Sequence, residues 1–93
     1  MALTFEWDEE KCEEDMRKHG VSFDEAKTIF NDPLAMTVSD PEHSSQEDRY
    51  IDMGRSSRGR ILMVWYTERG RNIRIIGSRK ASRSQRRQYE EEQ

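Results

Sequence analysis

Hydrophobic positions change rhythm along this chain, and each change marks an element. Leu3, Phe5 and Trp7 alternate with Thr4 and Glu6, the period of a short half-buried strand. Asp8 then stands as the N-cap of a helix, with Glu9 and Glu10 in a first turn whose dipole favours carboxylates. That helix is polar throughout. Cys12, Met16 and His19 form its only semi-apolar stripe, Lys18 and His19 fall in its last turn, and Gly20 supplies a left-handed cap. Ser22 and Glu25 have the spacing of a capping box, with Val21 and Ala26 placed as its hydrophobic staple. Phe23, Ala26, Ile29 and Phe30 give a second helix one apolar face, the expected main contact with a sheet, and Asn31-Asp32-Pro33 ends it. Leu34, Met36 and Val38 alternate as a further strand, before a polar, acidic loop from Asp40 to Asp48.

From Arg49 to Arg79 the pattern predicts three antiparallel strands in a row. Ile51 and Met53 alternate with Tyr50, Asp52 and Gly54; a Ser/Gly turn follows from Arg55 to Arg60. Ile61-Leu62-Met63-Val64-Trp65-Tyr66 is a continuous apolar run, suited to a strand covered on both faces. Glu68-Arg69-Gly70-Arg71 reads as a tight connection, and Asn72 to Arg79 as the returning strand. Ser82 and Gln85 form a second capping box opening a terminal helix through Arg86, Arg87 and Tyr89. Its acidic end, Glu90-Glu91-Glu92, opposes the dipole and is expected to fray. The fold class that follows is α+β in a single domain, 1–93, with helices packed on an antiparallel sheet in the order β-α-α-β-β-β-β-α.

Composition sharpens this. Only 32% of the 93 residues are hydrophobic and 38% are charged, so the core is small and centres on the apolar strand. The net charge of −3 conceals a split: residues 1–52 hold 15 acids and 5 bases (−10), and residues 53–93 hold 4 acids and 11 bases (+7). Ten of those 11 bases are arginine, which favours bidentate contacts with phosphates held at fixed spacing on a rigid sheet. Cys12 is the lone cysteine, so no intrachain disulfide or thiolate zinc site is available, which fits a reducing cytoplasm. The longest apolar run is far shorter than the ~18 residues of a membrane helix, and the first residues lack the features of a signal peptide, so no membrane association is expected.

With these elements placed, the chain resembles the BrnT family, the toxin half of a bacterial type II toxin–antitoxin pair. The likeness rests on Phe5-Glu6-Trp7-Asp8 with Lys11, on Lys18-His19-Gly20-Val21-Ser22-Phe23 with Ala26, and on Asp32-Pro33. It continues through Gly54-Arg55-Ser56, Tyr66-Thr67-Glu68-Arg69, Arg74-Ile75-Ile76, Arg79 with Ala81, and Arg87 with Tyr89. Asp15 stands where the family usually has Asn, Gly77-Ser78 where Ser-Ala is commoner, and Gln85 where Glu is common. The resemblance implies a fold similar to RelE and barnase-like ribonucleases and an endoribonuclease that arrests growth. It further implies neutralisation by a BrnA-like antitoxin, through which alone the pair engages operator DNA. An alternative of the same fold is a non-catalytic module that binds RNA or the antitoxin. A repressor acting on DNA by itself is disfavoured, because no helix-turn-helix or ribbon presents basic side chains to a groove.

RNA cleavage without a metal needs a base for the 2′-hydroxyl, an acid for the leaving 5′-oxygen, and cations around the phosphorus. His19 and His43 lie in no metal-ligand spacing, so no metal or cofactor is expected. His19 with Lys18 fits an acid–base pair, and equally fits cations capping a helix end. Glu68, the only acid from Met53 to Tyr89, suits a general base or a plain ion pair with Arg69. Arg69 and Arg79 are the candidate transition-state stabilisers, against the reading of a solvated basic face. Arg55, Arg58, Arg60, Arg71, Arg83, Arg86 and Arg87 are expected to follow the RNA backbone. Trp7 and Tyr66 have the choice of stacking on bases or joining the core, and Tyr89 of reaching the sheet. The same basic sheet is where an acidic or amphipathic antitoxin segment would dock.

Overall fold

The computed structural model describes residues 3–39 and 49–92; the Asp40–Asp48 loop, with His43, lies outside them. The elements are β1 (Thr4–Glu6), α1 (Glu9–His19), α2 (Phe23–Ala26) running into a 3₁₀ turn (Lys27–Asn31), β2 (Met36–Ser39), β3 (Arg49–Arg55), β4 (Ile61–Arg69), β5 (Asn72–Lys80) and α3 (Arg83–Glu91). The strands form one sheet in the order β1-β5-β4-β3-β2.

The sheet is mixed, and not wholly antiparallel as expected from the sequence. β2 to β5 are antiparallel neighbours, but β1 runs parallel to β5, with Thr4, Phe5 and Glu6 opposite Asn72, Ile73 and Arg74. Alternation reports which face a strand buries and carries no information about its direction. Because β1 stops opposite Arg74, the rest of that edge of β5 has no strand beside it. α1 lies there, and the Asp15 carboxylate accepts the Ser78 N–H at 2.8 Å, so the exposed edge is capped by a side chain.

Two cores sit on opposite faces of β4, as a doubly covered strand requires. On one face, Val21, Phe23, Ala26 and Ile29 pack against Leu62, Val64, Tyr66, Ile73 and Ile75, with Phe5, Trp7, Cys12 and Phe30 around them. On the other, Met53, Ile61 and Met63 receive Tyr89 from α3. α1 itself buries no residue: Cys12 is half-buried, Met16 is 49% exposed and His19 is exposed, so its sparse stripe only rests on the edge of the core. The predicted strand around Leu34 starts later, at Met36, and leaves Leu34 exposed.

The capping residues behave unequally. Asp8 accepts the N–H groups of Glu10 and Lys11, Gly20 takes a left-handed φ of 70°, and Ser82 with Gln85 forms a complete capping box. Ser22 accepts the Glu25 N–H, but the Glu25 carboxylate turns away to Ser56 and Arg60, so the predicted box there is half made. α3 stays helical as far as Glu91, further than its acidic end leads one to expect.

Gly54 is needed for close approach. A Cβ there would lie 3.1 Å from the Cβ atoms of both Ile29 and Ala35, where the 3₁₀ turn crosses β3. Neither neighbour is a flexible side-chain end, so Gly54→Ala is expected to cost about 1–3 kcal/mol by overpacking. Thermal unfolding checks this; an unchanged melting temperature would mean that the turn yields freely.

Candidate functional site

The face of the sheet that receives α3 is only partly covered by it. Register fixes what the open part carries. Arg49 and Arg74 both stand opposite Thr67, and Ile51 stands opposite Trp65, so these side chains share one face. Arg69, two residues beyond Thr67 on β4, shares it too. Arg79 stands opposite Met63 on that same face. In an unbroken strand Arg74 and Arg79, five residues apart, would point to opposite sides. A bulge re-phases β5: Tyr66 faces Ile75 and Trp65 faces Gly77, leaving Ile76 extra. The bulge therefore brings four arginines, Arg49, Arg69, Arg74 and Arg79, onto one face around Trp65 and Thr67.

Each arginine is held differently. Arg79 donates from one terminal nitrogen to the Lys80 carbonyl (2.9 Å) and to Gln85 Oε1 (3.1 Å), with its guanidinium carbon 5.4 Å from the Trp65 ring centroid. The same Gln85 oxygen accepts the Ser82 N–H at 2.9 Å, so the group that caps α3 also braces Arg79. Arg74 pairs with Glu6 at 3.1 Å, both partly exposed, and Glu6 thereby brings a carboxylate onto the arginine face. Arg49 is half-buried and Arg69 exposed. Thr67 is 1% exposed, and its hydroxyl has no partner among the described residues.

Arg55, opposite Ile61, is on the same face at its α3-covered end, and the other predicted site residues lie elsewhere. Glu68 and Arg69 belong to β4 and not to the turn, which shrinks to Gly70 and Arg71. Adjacent strand residues face opposite ways, so Glu68 points to the side of Tyr66 and away from Arg69 and Arg79. Lys18 and His19 are exposed at the end of α1, which packs on the far side of the sheet from α3. The five candidate catalytic residues are thus not brought together; Arg69 and Arg79 share a face, but Arg69 stands opposite Asn72 and Arg79 opposite Met63, toward opposite ends of β4.

Arg60 is committed to the fold. Its Nε donates to Glu25 Oε2 at 2.9 Å, a terminal nitrogen meets Glu25 Oε1, and the same nitrogen donates to the Gly20 carbonyl at 3.1 Å. Glu25 is 6% exposed and also accepts from Ser56 (2.7 Å). The Arg60 hydrogen bond, aided by Ser56 and the charge of Arg58, holds its carboxyl below the ordinary 4.5 despite burial. Arg58, largely exposed, stands 3.9 Å from it. Arg55 stacks over Tyr89 (5.7 Å), while its backbone N–H donates to Asp32. Arg55, Arg60, Lys80 and Arg86 line a cleft of about 260 Å³ beside α3, together with Glu90. Arg83 and Arg87 flank a hollow at the start of α3, and Arg71 is exposed in the β4–β5 turn.

Tyr66 and Trp7 are core residues. Tyr66 stacks near Phe30 and Tyr50 and donates to Asp52 at 2.9 Å; burial pushes both its phenol and the Asp52 carboxyl up. Trp7 packs edge-on against Phe23. Arg49, Arg74, Glu6 and Trp65 are the members of the arginine face that sequence reasoning missed. One signal was present: Gly77 inside a strand pattern marks a bulge. Among the described residues no three His, Cys, Asp or Glu side chains are grouped to hold a metal. Nor is any helix among them long and apolar enough to cross a membrane.

Residues 7–85 match the family model described as "Ribonuclease toxin, BrnT, of type II toxin-antitoxin system". The chain belongs to the BrnT family. Its structure is similar to the crystal structure of the Brucella abortus ribonuclease toxin BrnT, at 22% identity and a TM-score of 0.68 over 88% of this chain and all of that one. Comparison with curated proteins gives no match. The fold is therefore that of BrnT, and the family is one of ribonuclease toxins, which carries with it RNA as target and an antitoxin as partner. The matched stretch contains every residue of the arginine face except Glu6.

Proposed function

We propose that this chain is a metal-independent endoribonuclease that arrests growth in the cytoplasm and is silenced by a BrnA-like antitoxin, the partner through which operator DNA is bound. The observation that carries this reading is the bulge-aligned arginine face. Arg79 neutralises charge developing on the scissile phosphate, and Arg49, Arg69 and Arg74, further along the same face, position the flanking backbone. Glu6, rather than Glu68, is the carboxylate sharing that face, and it takes the role of base for the 2′-hydroxyl. Lys18 and His19, together with Arg58, Arg71, Arg83, Arg86 and Arg87, act as peripheral cations toward RNA. The wider kinship to RelE and barnase-like ribonucleases belongs to the same reading.

A second reading is favoured by one observation: no imidazole shares the arginine face among the described residues, as suits a module that binds RNA without cutting it. Incubating purified protein with RNA in excess chelator separates the two. Cleavage is expected to persist. RNA that is bound but left intact, with or without added divalent ions, supports the binding module, and cleavage only when those ions return overturns metal independence.

A further inference from the structure

The indole of Trp65 occupies the middle of the arginine face, and the ribonuclease reading assigns it nothing. We propose that Trp65 is a stacking platform for an unpaired nucleobase of single-stranded RNA, with Arg49, Arg74 and Arg79 taking the phosphates on either side of that base. The inference rests on the ribonuclease reading for its ligand and goes beyond it by naming the strandedness and the contact.

Four observations place the platform. Trp65 is half-buried while its neighbours on β4, Val64 and Tyr66, are buried, so it alone of the three presents surface on the open side. The ring packs against the cluster of Met53, Ile61, Met63 and Tyr89, which restrains it. The residue across from it on β5 is Gly77, where a Cβ would touch only the Asp15 carboxylate, at 3.4 Å. No side chain of β5 therefore crowds the indole from directly across, and the gap has the bulge beside it. Finally, Arg49 and Arg79 sit diagonally from Trp65 in the register, ~7–8 Å away in an ordinary sheet and within reach of a long side chain. Arg74, across from Thr67, closes the ring of cations.

The chemistry of this arrangement selects its ligand. Base stacking on an aromatic ring requires a base released from its partner, so a duplex is refused and a strand or loop accepted. Arg79 already lies over the indole, and its flat guanidinium stacks on a base as readily as on a ring. A base entering here stacks on the indole beside Arg79, whose bonds to the Lys80 carbonyl and Gln85 Oε1 keep the guanidinium in place for the adjoining phosphate. An acidic protein segment would satisfy the arginines but leave the aromatic surface beside Gly77 unused; RNA uses both.

The test titrates the full chain into a 2′-O-methyl oligouridylate carrying one internal 2-aminopurine, which cannot be cleaved through its 2′-oxygen. Anisotropy of an end label reads affinity and 2-aminopurine emission reads stacking. Binding with quenched emission is expected, weakened roughly tenfold or more with loss of quenching in Trp65→Leu, and largely restored in Trp65→Phe. A duplex of the same oligonucleotide is expected to bind more weakly than the single strand and to show no further quenching. Equal affinity and quenching in Trp65→Leu, with its fold intact by circular dichroism, overturns the platform while leaving the ribonuclease reading in place. A Trp65→Leu variant that binds the oligonucleotide normally but no longer captures the antitoxin also overturns it, in favour of a protein surface. Absence of both oligonucleotide binding and cleavage of ordinary RNA removes the ribonuclease reading, and the platform with it.

Discussion

Arg79→Ala is expected to lower the rate of RNA cleavage by roughly 100-fold or more, the usual loss when a preorganised charge stabiliser is removed. Arg79 is suited to such a role because its guanidinium is held before substrate arrives. The Lys80 carbonyl, Gln85 Oε1 and the Trp65 ring restrain it from three directions. A cation that need not reorganise in the transition state contributes to kcat more than to KM. Arg79→Lys keeps the charge and loses the fork, so it should recover only part of the rate. Stability should change little, by about 1 kcal/mol, since the side chain lies at the surface of the sheet. Single-turnover cleavage measured beside thermal unfolding decides the matter. A variant that cleaves at the parent rate, or that loses only affinity, would remove Arg79 from the chemistry.

Glu25→Ala is expected to cost about 3 kcal/mol, the effect of stripping one partner from a buried ion pair. In a domain of this size that lowers the melting temperature by roughly 10–20 °C. Arg60 is itself partly exposed, which places the loss toward the lower end of that range. The Glu25 carboxylate also joins three segments, α2, the β3–β4 turn and, through Arg60, the Gly20 carbonyl at the end of α1. Its acid behaviour follows from the sign of its shift. A carboxyl whose folded pKa lies below the ordinary 4.5 contributes fully above that value and loses its contribution as pH falls through the folded pKa. Asp32 acts in the same direction: burial alone would raise it, but hydrogen bonds from Arg55, Tyr89 and Leu34 hold it below 3.8. Asp52 opposes them, since burial raises it above 3.8 and ionising it in the fold costs stability as pH rises past that value. Glu25→Gln should therefore lose less stability than the parent as pH falls below 4.5. Equal losses in the two proteins would assign the acid sensitivity to other groups.

The meander was legible because its signals are local. Apolar alternation, the Ser/Gly turn and the unbroken run from Ile61 to Tyr66 each act over a few residues, and the structure places β3, β4 and β5 on them. The caps at Asp8, Gly20 and Ser82 were legible for the same reason. What escaped depends on contacts far apart in sequence. The parallel pairing of β1 joins Thr4 to Asn72, and no short-range pattern encodes it. The turn of Glu25 toward Arg60 crosses 35 residues and outcompetes the local box. The site suffered most from a single extra residue. Read without the bulge at Ile76, β5 sends Arg74 and Arg79 to opposite faces, and the arginine face cannot be assembled. Extending β4 through Glu68 and Arg69 had the converse effect, separating two neighbours that a turn would have kept together.

The oxygen shared between the Ser82 amide and Arg79 makes the carboxyl-terminal helix a tensioner for a side chain it does not carry. Replacing Gln85 by Ala would leave the five strands their hydrogen bonds and Tyr89 its core, while letting that guanidinium swing loose. Lesions that disarm the toxin without unfolding it should thus be sought beyond the sheet.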